Sequence, residues 1–181
     1  VSDFVMTQNH CQQKETVSDS VGMGAYTMDS HNTQRYVTAE GFAKNEGDVQ
    51  VGGFPPYPIS YDSIIPKQSE CENLLVPVCL SATHIAFGSI RMEPVFMVLA
   101  QSAATAASLA IDEGIPIQEV EYKQLQTRLA EDGQILEYTT PPQAAANYTT
   151  ISSLEGSVVD DSEARLEGPW SPSSLRKGIH Q

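Results

Sequence analysis

The sequence predicts an α/β fold joined by a linker to the first part of an all-β module. Three observations lead to this prediction. Residues 74–81, LLVPVCLS, form a continuous apolar run between turns, which is typical of a strand buried on both faces of a sheet. Two helical patterns follow it, and from Thr139 the sequence becomes small, uncharged and rich in proline. We therefore divide the chain into residues 1–138, a linker at 139–154 and a truncated all-β module at 155–181.

The first helix is predicted to begin at Pro94 and to end before Gly114. Proline suits the first helical turn, where its missing N–H is not needed, and glycine suits the left-handed position that closes a helix. The helix carries a stripe of small side chains at helical spacing, formed by Ala100, Ala103, Ala104 and Ala107. Such a stripe allows close approach of a sheet or a flat ligand, and close packing within the protein is the more frequent reason for it.

The second helix is indicated by Tyr122, Leu125 and Leu129, which share one helical face. Gly133 is predicted to end it. A short strand is then expected at residues 134–138, QILEY.

The segments before the first helix are predicted as follows. Residues 1–53 are polar and turn-rich, which indicates the loops and short strands of an insertion or cap. Residues 57–66, YPISYDSIIP, alternate apolar with polar positions and predict a half-buried strand closed by Pro66. Residues 82–93 are expected to form the loop between the apolar strand and the first helix.

Length and charge limit the possible functions. A chain of 181 residues has room for one domain, or for one domain and part of another. The formal net charge of −13 argues against nucleic-acid binding, because phosphate backbones require a basic face. No apolar run reaches the roughly 20 residues of a membrane span, so none is predicted.

The three cysteines, Cys11, Cys71 and Cys79, contain no CxxC pair. An iron–sulfur cluster needs four thiolates, so none is expected from this chain alone. We interpret Cys71 and Cys79, which flank the apolar run, as small buried apolar residues.

An ordered set of motifs runs through residues 57–114. Ile-Pro-Lys is followed by Glu-Asn-Leu-Leu-Val, Ser-Ala-Thr-His, Gly-Ser-Ile-Arg-Met-Glu-Pro and a helix rich in Gln, Ser and Ala. Over residues 1–137 the chain resembles the C-terminal part of FAD-dependent oxidoreductases that are similar to the flavoprotein of heterodisulfide reductase. The resemblance implies a two-dinucleotide-type FAD-binding fold, FAD as cofactor and an unidentified small-molecule substrate.

In such flavoproteins the nucleotide-binding GxGxxG motif lies in the N-terminal half. Of this motif the present sequence contains only a lone GxG, formed by Gly22 and Gly24. The resemblance therefore implies a fragment that lacks the N-terminal dinucleotide-binding half and that is expected to be inactive alone.

The resemblance also assigns the site. His84 is the candidate catalytic residue, near the flavin. The residues assigned to cofactor binding are Ser81, Ala82, Thr83, Gly88, Ser89, Arg91, Glu93, Pro94 and Val95. The start of the helix at Pro94 would add the partial positive charge of a helix N-terminus, which favours a phosphate or a reduced flavin.

Each candidate has a second interpretation. His84 either donates a proton beside the flavin or caps a turn. Arg91 either neutralises a phosphate or reduced flavin, or pairs with Glu93 or another carboxylate. His31, near Asp29 and Arg35, either lines a substrate pocket or belongs to a polar turn, and we favour the turn.

Residues 158–170, VVDDSEARLEGPW, resemble the opening of the golvesin-like β-sandwich that occurs at the C-terminus of secreted bacterial enzymes, including some named xanthan lyases. This resemblance implies a periplasmic or secreted setting. Asp160 and Asp161 form either a calcium-type carboxylate pair or a solvated surface. The alternative function for the whole chain is a non-catalytic module of a secreted carbohydrate-active protein.

Overall fold

The computed structural model describes residues 2–139. By the contacts between its residues the chain divides into two units, Val1–Thr139 and Thr140–Gln181. Nearly all of the predicted linker and all of the predicted β-sandwich, with Asp160 and Asp161, lie outside the described residues. The predictions for these segments therefore remain predictions.

The described part of the chain begins with one short helix, continues with short strands and ends with three helices. The elements are α1 (Gln8–Cys11), β1 (Ser20–Gly24), β2 (Met28–Ser30), β3 (Gln34–Val37), β4 (Ala43–Glu46), β5 (Val49–Val51), β6 (Tyr57–Ser60), α2 (His84–Ile90), α3 (Glu93–Glu113) and α4 (Tyr122–Glu131). Two short 3₁₀ helices lie at Tyr61–Ile64 and Ile117–Glu119. The mixture of helices and strands is consistent with the predicted α/β class, and the first 53 residues contain the short strands that their turn-rich sequence predicts.

The strands pair two by two, and each pair is antiparallel. β1 pairs with β6, β2 with β5 and β3 with β4. The half-buried strand predicted at residues 57–66 ends early, because the chain turns into a 3₁₀ helix at Tyr61. Tyr57 and Ile59 are fully buried, as the alternation predicts, but Ser60 is buried as well.

The strand predicted at residues 74–81 does not form. The segment is irregular, and Leu74, Val78 and Cys79 are exposed. It is attached by isolated hydrogen bonds, from Val76 N–H to the Ile64 carbonyl (2.8 Å) among others. Pro77 offers no N–H for a strand ladder, which explains why this apolar run is not a central strand. Among the described residues, the one parallel contact is the single bridge between Met6 and Ala82.

Helix α3 begins and ends where the sequence predicts. Pro94 lies in its first turn, and Gly114 has the left-handed backbone conformation, with φ of 67°. α3 is also the one helix of the described residues that is long and apolar enough to cross a membrane by length and composition, which the sequence prediction did not allow for. Core helices of globular proteins meet the same criteria, and a third of its most apolar 18-residue window is buried.

The buried face of α3 differs from the predicted stripe. Ala103 is buried, but Ala100 and Ala104 are exposed. The buried residues are Val95, Leu99, Ser102, Ala103, Ala106 and Ala110. This face lies against β1, so the small side chains serve close packing within the protein. Both faces of the helix are rich in alanine, and composition alone therefore does not identify the inward one.

The end of the described chain packs through side chains and not through a strand. α4 buries Leu125 and Leu129, and Gly133 follows with a positive φ of 81°, as predicted. Residues 134–138 are not a strand, although Leu136 is buried and its carbonyl accepts a hydrogen bond from Ser20 Oγ at 2.7 Å.

The three cysteines differ in burial. Cys11 is fully buried, Cys71 is half-buried and Cys79 is exposed, and all are free. The prediction that Cys71 and Cys79 are small buried apolar residues is therefore wrong for Cys79, since residues 74–81 are not a core strand.

Candidate functional site

The predicted loop at residues 82–93 contains a helix. α2 begins at His84 and is capped by Thr83, whose Oγ1 accepts a hydrogen bond from Ala86 N–H at 3.4 Å. A capping threonine satisfies one of the free N–H groups of the first turn. The segment between the bridge at Ala82 and α3 is therefore a short helix followed by a tight corner at residues 91–92.

α2 lies directly on strand β2. A Cβ atom built on Gly88 would be 2.7 Å from the carbonyl oxygen of Asp29, so only glycine permits this approach. The backbone of Asp29 thus occupies the space that a side chain at Gly88 would need.

Ser89 belongs to a buried polar chain. Its hydroxyl donates to the Tyr26 carbonyl and lies 2.6 Å from the Tyr57 hydroxyl. Tyr57 is in turn hydrogen-bonded to Cys11. Burial, reinforced by Cys11, raises the pKa of Tyr57, and burial raises the pKa of the Cys11 thiol to about 11. These groups therefore stay protonated at neutral pH and hold α2 to the core.

The main chain of residues 81–83 is also bound within the protein. Ser81 N–H donates to the Ser63 carbonyl at 2.7 Å, and Thr83 N–H donates to the Met6 carbonyl at 2.8 Å. Met6 N–H donates to the Ser81 carbonyl at 2.9 Å. This short ladder fixes the point at which α2 begins.

Arg91 pairs with Asp29, one of the alternatives that the sequence leaves open. Its Nη2 lies 3.2 Å from Asp29 Oδ2 and 3.4 Å from the Asp29 carbonyl oxygen. The Arg91 side chain remains 38% exposed, whereas that of Asp29 is 15% exposed. Within the described residues these contacts use Nη2 alone, so the other guanidinium N–H groups remain available to a ligand.

His84 is exposed at the first position of α2, and its Nε2 lies 2.9 Å from Ser30 Oγ. It caps no turn, since Thr83 takes that role. Ser30 follows Asp29 directly on β2, so two consecutive strand residues contact the two ends of one helix.

His31 belongs to the same surface but is loosely attached. Its Nε2 is 3.9 Å from Asp29 Oδ2, and its side chain is 86% exposed. Arg35 takes no part, because its Nε donates to Asn45 Oδ1 on the neighbouring strand. We call the group Asp29, Ser30, His31, His84 and Arg91 the polar cluster.

The start of α3 offers less to an anion than the sequence suggests. Val95 is buried, and the N–H groups of Val95 and Phe96 both donate to the Met92 carbonyl, at 2.9 and 3.1 Å. The exposed carboxylate of Glu93 also lies in the first turn, beside Pro94. Arg91 is therefore the cation that would carry anion binding at this corner.

A surface cavity of about 620 Å³ lies elsewhere, along α4. Its lining contains none of the predicted site residues and includes exposed side chains such as Lys123, Thr127 and Glu131. The chemistry-bearing side chains are thus grouped on the polar cluster and not in this cavity.

Comparison with known families agrees with the motifs around α2 and α3. Residues 1–129 match the sequence model of a family described as FAD dependent oxidoreductase. The chain belongs to this family. No curated protein and no solved structure matches it. The oxidoreductase assignment and FAD as cofactor are thereby established, whereas the match does not reach the predicted β-sandwich and does not identify a subfamily.

Within the polar cluster, Arg91 is the residue whose chemistry suits FAD. A half-exposed guanidinium with unused N–H groups suits the negative charge of a phosphate or a reduced flavin. Gly88, Ser89 and the main chain of residues 81–83 are already bound to protein groups, so they do not offer an open cradle. The assignment of the individual site residues of this oxidoreductase stays a prediction.

Sequence reasoning missed Ser30 and saw Asp29 only as a turn residue. The available signal was the local run Met-Asp-Ser-His, residues 28–31, in which three polar side chains follow a buried Met28. The partners of these side chains lie more than fifty positions away in the sequence, and no local pattern identifies them.

Proposed function

We propose that the polar cluster and the corner between α2 and α3 form part of the flavin-facing surface of this FAD-dependent oxidoreductase. The observation that supports this most directly is the geometry of Arg91, a cation that Asp29 holds in place and that still exposes 38% of its side chain. A cation at this position favours an electron-rich ligand, and the reduced flavin carries more negative charge than the oxidised one.

Bound FAD supplies the electron-transfer chemistry, and the protein residues supply orientation and charge. In this proposal Arg91 stabilises negative charge through its unused N–H groups. His84 exchanges a proton with the substrate through Nδ1, since Ser30 holds Nε2. Glu93 and Pro94 shape the exposed rim beside them.

The buried members of the predicted site act through these exposed ones. Gly88 permits the contact between α2 and β2, and Ser89 fastens α2 to the core. Residues 81–83 fix the first turn, and Val95 anchors the start of α3. We infer that these residues position the flavin-facing side chains and do not contact the cofactor themselves.

The domain organisation of the protein is part of the same proposal. Residues 1–138 would act with a dinucleotide-binding half, as in flavoproteins similar to that of heterodisulfide reductase. Residues 139–154 would link this unit to a golvesin-like module at 155–181. The motifs quoted from the sequence support this plan.

The test is a change of charge at Arg91. Arg91→Met in the enzyme that includes the dinucleotide-binding half and is loaded with FAD should lower the midpoint potential, because the reduced flavin loses a favourable charge. An interaction of roughly 1–2 kcal/mol corresponds to about 20–45 mV for a two-electron couple. Potentiometric titration of both proteins measures the shift.

Arg128→Met is the matched control. Arg128 is an exposed cation on α4 that pairs with Asp132 (3.5 Å), and its loss should leave the potential unchanged. If Arg91→Met leaves the potential unchanged while the melting temperature falls, Arg91 is a structural ion-pair residue and the proposal is wrong.

A further inference from the structure

Strand β2 contacts the site through two neighbouring residues. Asp29 reaches Arg91, which follows the last turn of α2, and Ser30 reaches His84 in the first turn. This one short strand therefore contacts both ends of the helix. β2 is held by its antiparallel partner β5, with Asp29 opposite Gln50 and Ser30 opposite Val49.

We propose that Asp29 and Ser30 are positioning residues of the flavin site. Asp29 would aim the Arg91 guanidinium and reduce the net positive charge that it presents. Ser30 would decide which ring nitrogen of His84 carries the proton. This inference rests on the proposed function, and it adds the residues that position Arg91 and His84.

The contacts of Asp29 restrict Arg91 at one point. The same Nη2 faces both the carboxylate and the main-chain carbonyl of Asp29, at 3.2 and 3.4 Å. A free arginine side chain has many rotamers, and a contact with fixed backbone removes most of them. The carboxylate also cancels part of the cation's field, so the loss of its charge should strengthen the attraction of Arg91 for an anion.

Ser30 acts on His84 through one hydrogen bond. The hydroxyl can donate or accept, and the protonation of one imidazole nitrogen follows from the bond that the other makes. Because His84 is otherwise exposed, Ser30 is the protein group that orients its ring.

Gly88 connects these two contacts. The Asp29 carbonyl lies against the Gly88 Cα, where a Cβ atom would come within 2.7 Å of it. Backbone atoms cannot move away as a flexible side chain can. β2 and α2 therefore keep a fixed separation, and both contacts depend on it.

The first experiment needs no cofactor. Histidine-selective ¹⁵N labelling of the 181-residue chain gives few signals, since the sequence has four histidines. Ser30→Ala should shift the ring nitrogen signals of His84 towards a mixture of tautomers, and Ser30→Thr should restore them. His10 is the internal control, because its Nδ1 accepts a hydrogen bond from Thr7 N–H (3.0 Å) far from the substitution in sequence. Unchanged His84 signals in Ser30→Ala would overturn the role of Ser30.

The second experiment uses the enzyme that includes the dinucleotide-binding half and is loaded with FAD. Asp29→Asn should raise the midpoint potential, opposite to the effect of Arg91→Met. We expect roughly a threefold gain in preference for the reduced flavin, which is about 14 mV for a two-electron couple. Asp112→Asn removes a similar charge near the other end of α3, about 28 Å along the helix from Glu93, and should have no effect.

The outcomes separate this inference from the proposed function. If Arg91→Met lowers the potential but Asp29→Asn does not raise it, Asp29 is not a positioning residue and the proposed function stands. If the His84 signals respond to Ser30→Ala while neither charge variant moves the potential, Ser30 orients His84, and the flavin-facing assignment and the role of Asp29 both fall.

Discussion

A methyl group placed on Gly22 of β1 would lie 2.8 Å from Cγ1 of Val98 on α3. The helix therefore crosses the strand at a distance that only glycine allows. Gly22 belongs to the lone GxG of the sequence, and its role here is packing. The neighbouring Gly24 is equally confined, since a Cβ atom there would meet the Tyr57 ring at 2.7 Å.

We expect Gly22→Ala to lower the free energy of unfolding by about 1–3 kcal/mol, the usual effect of inserting a methylene into a packed core. Urea unfolding followed by circular dichroism would measure it. Val98→Ala provides the partner for a double-mutant cycle, because it removes the atom that the new methyl group would meet. The two substitutions should then be less destabilising together than their sum, whereas strict additivity would show that the contact is not the cause.

Ser102 connects α3 to two other segments. Its Oγ donates to the Val21 carbonyl at 2.5 Å and lies 2.6 Å from Gln134 Nε2. Ser102→Ala removes one partner from each group, but Gln134 Nε2 still donates to the Val21 carbonyl at 2.6 Å, so we expect a loss of about 0.5–1.5 kcal/mol in urea unfolding. Ser108→Ala, on an exposed part of the same helix, should change stability by less than about 0.5 kcal/mol. Equal effects of the two variants would argue against this role.

The cysteines should react in the order of their exposure. Cys79 is exposed, whereas Cys11 is fully buried and the pKa of its thiol is raised from 9.0 to about 11. The thiolate is the reactive form, so at pH 8 Cys11 is both protected and protonated. Iodoacetamide labelling followed by peptide mass spectrometry should modify Cys79 rapidly, and Cys11 only after denaturation. Labelling of both at the same rate in the native protein would contradict this arrangement.

Asp62 provides the pH-dependent prediction. Partial burial, and then the charges of Asp19 and Asp3, raise the pKa of its carboxyl. A raised pKa means that folding favours the neutral form. The stability from this group is complete below the carboxyl's ordinary pKa and is lost as the pH rises through the folded-state value.

Asp62→Asn should therefore raise the melting temperature at pH 7, by about 1–2 °C for a largely exposed group. Its main-chain contacts, the N–H that donates to Asp19 Oδ2 and the carbonyl that accepts from Ser2, are retained. Differential scanning calorimetry at pH 7 and pH 3 would test this, with Asp112→Asn as the control. A gain that persisted undiminished at pH 3 would exclude the electrostatic cause.

The sequence predicts well what local chemistry decides. Pro94 and Gly114 bound α3, and Gly133 ends the segment of α4, because caps and left-handed glycines act within one turn of their own position. The prediction of a strand at residues 74–81 was wrong because it rested on composition and not on such a local signal. Apolar composition indicates burial, but it does not reveal that Pro77 prevents a ladder and that Leu74 and Val78 remain exposed.

The contacts of the candidate site residues could not be predicted from the sequence. His84 and Arg91 are exposed candidates, and the motifs around them place them close together in the sequence. Their partners Ser30 and Asp29 come from a strand of three residues. Tertiary packing of α2 on β2 creates these contacts, and no periodicity in either segment predicts this packing.

The contacts of Ser30 with His84 and of Asp29 with Arg91 join positions 54 and 62 apart. Closing so long a loop costs chain entropy, whereas a helix such as α3 grows from hydrogen bonds four residues apart. Local contacts form earlier in folding than distant ones. During folding, therefore, the long helix can assemble before β2 has closed onto α2, and Arg91 meets the Asp29 carboxylate only after that closure.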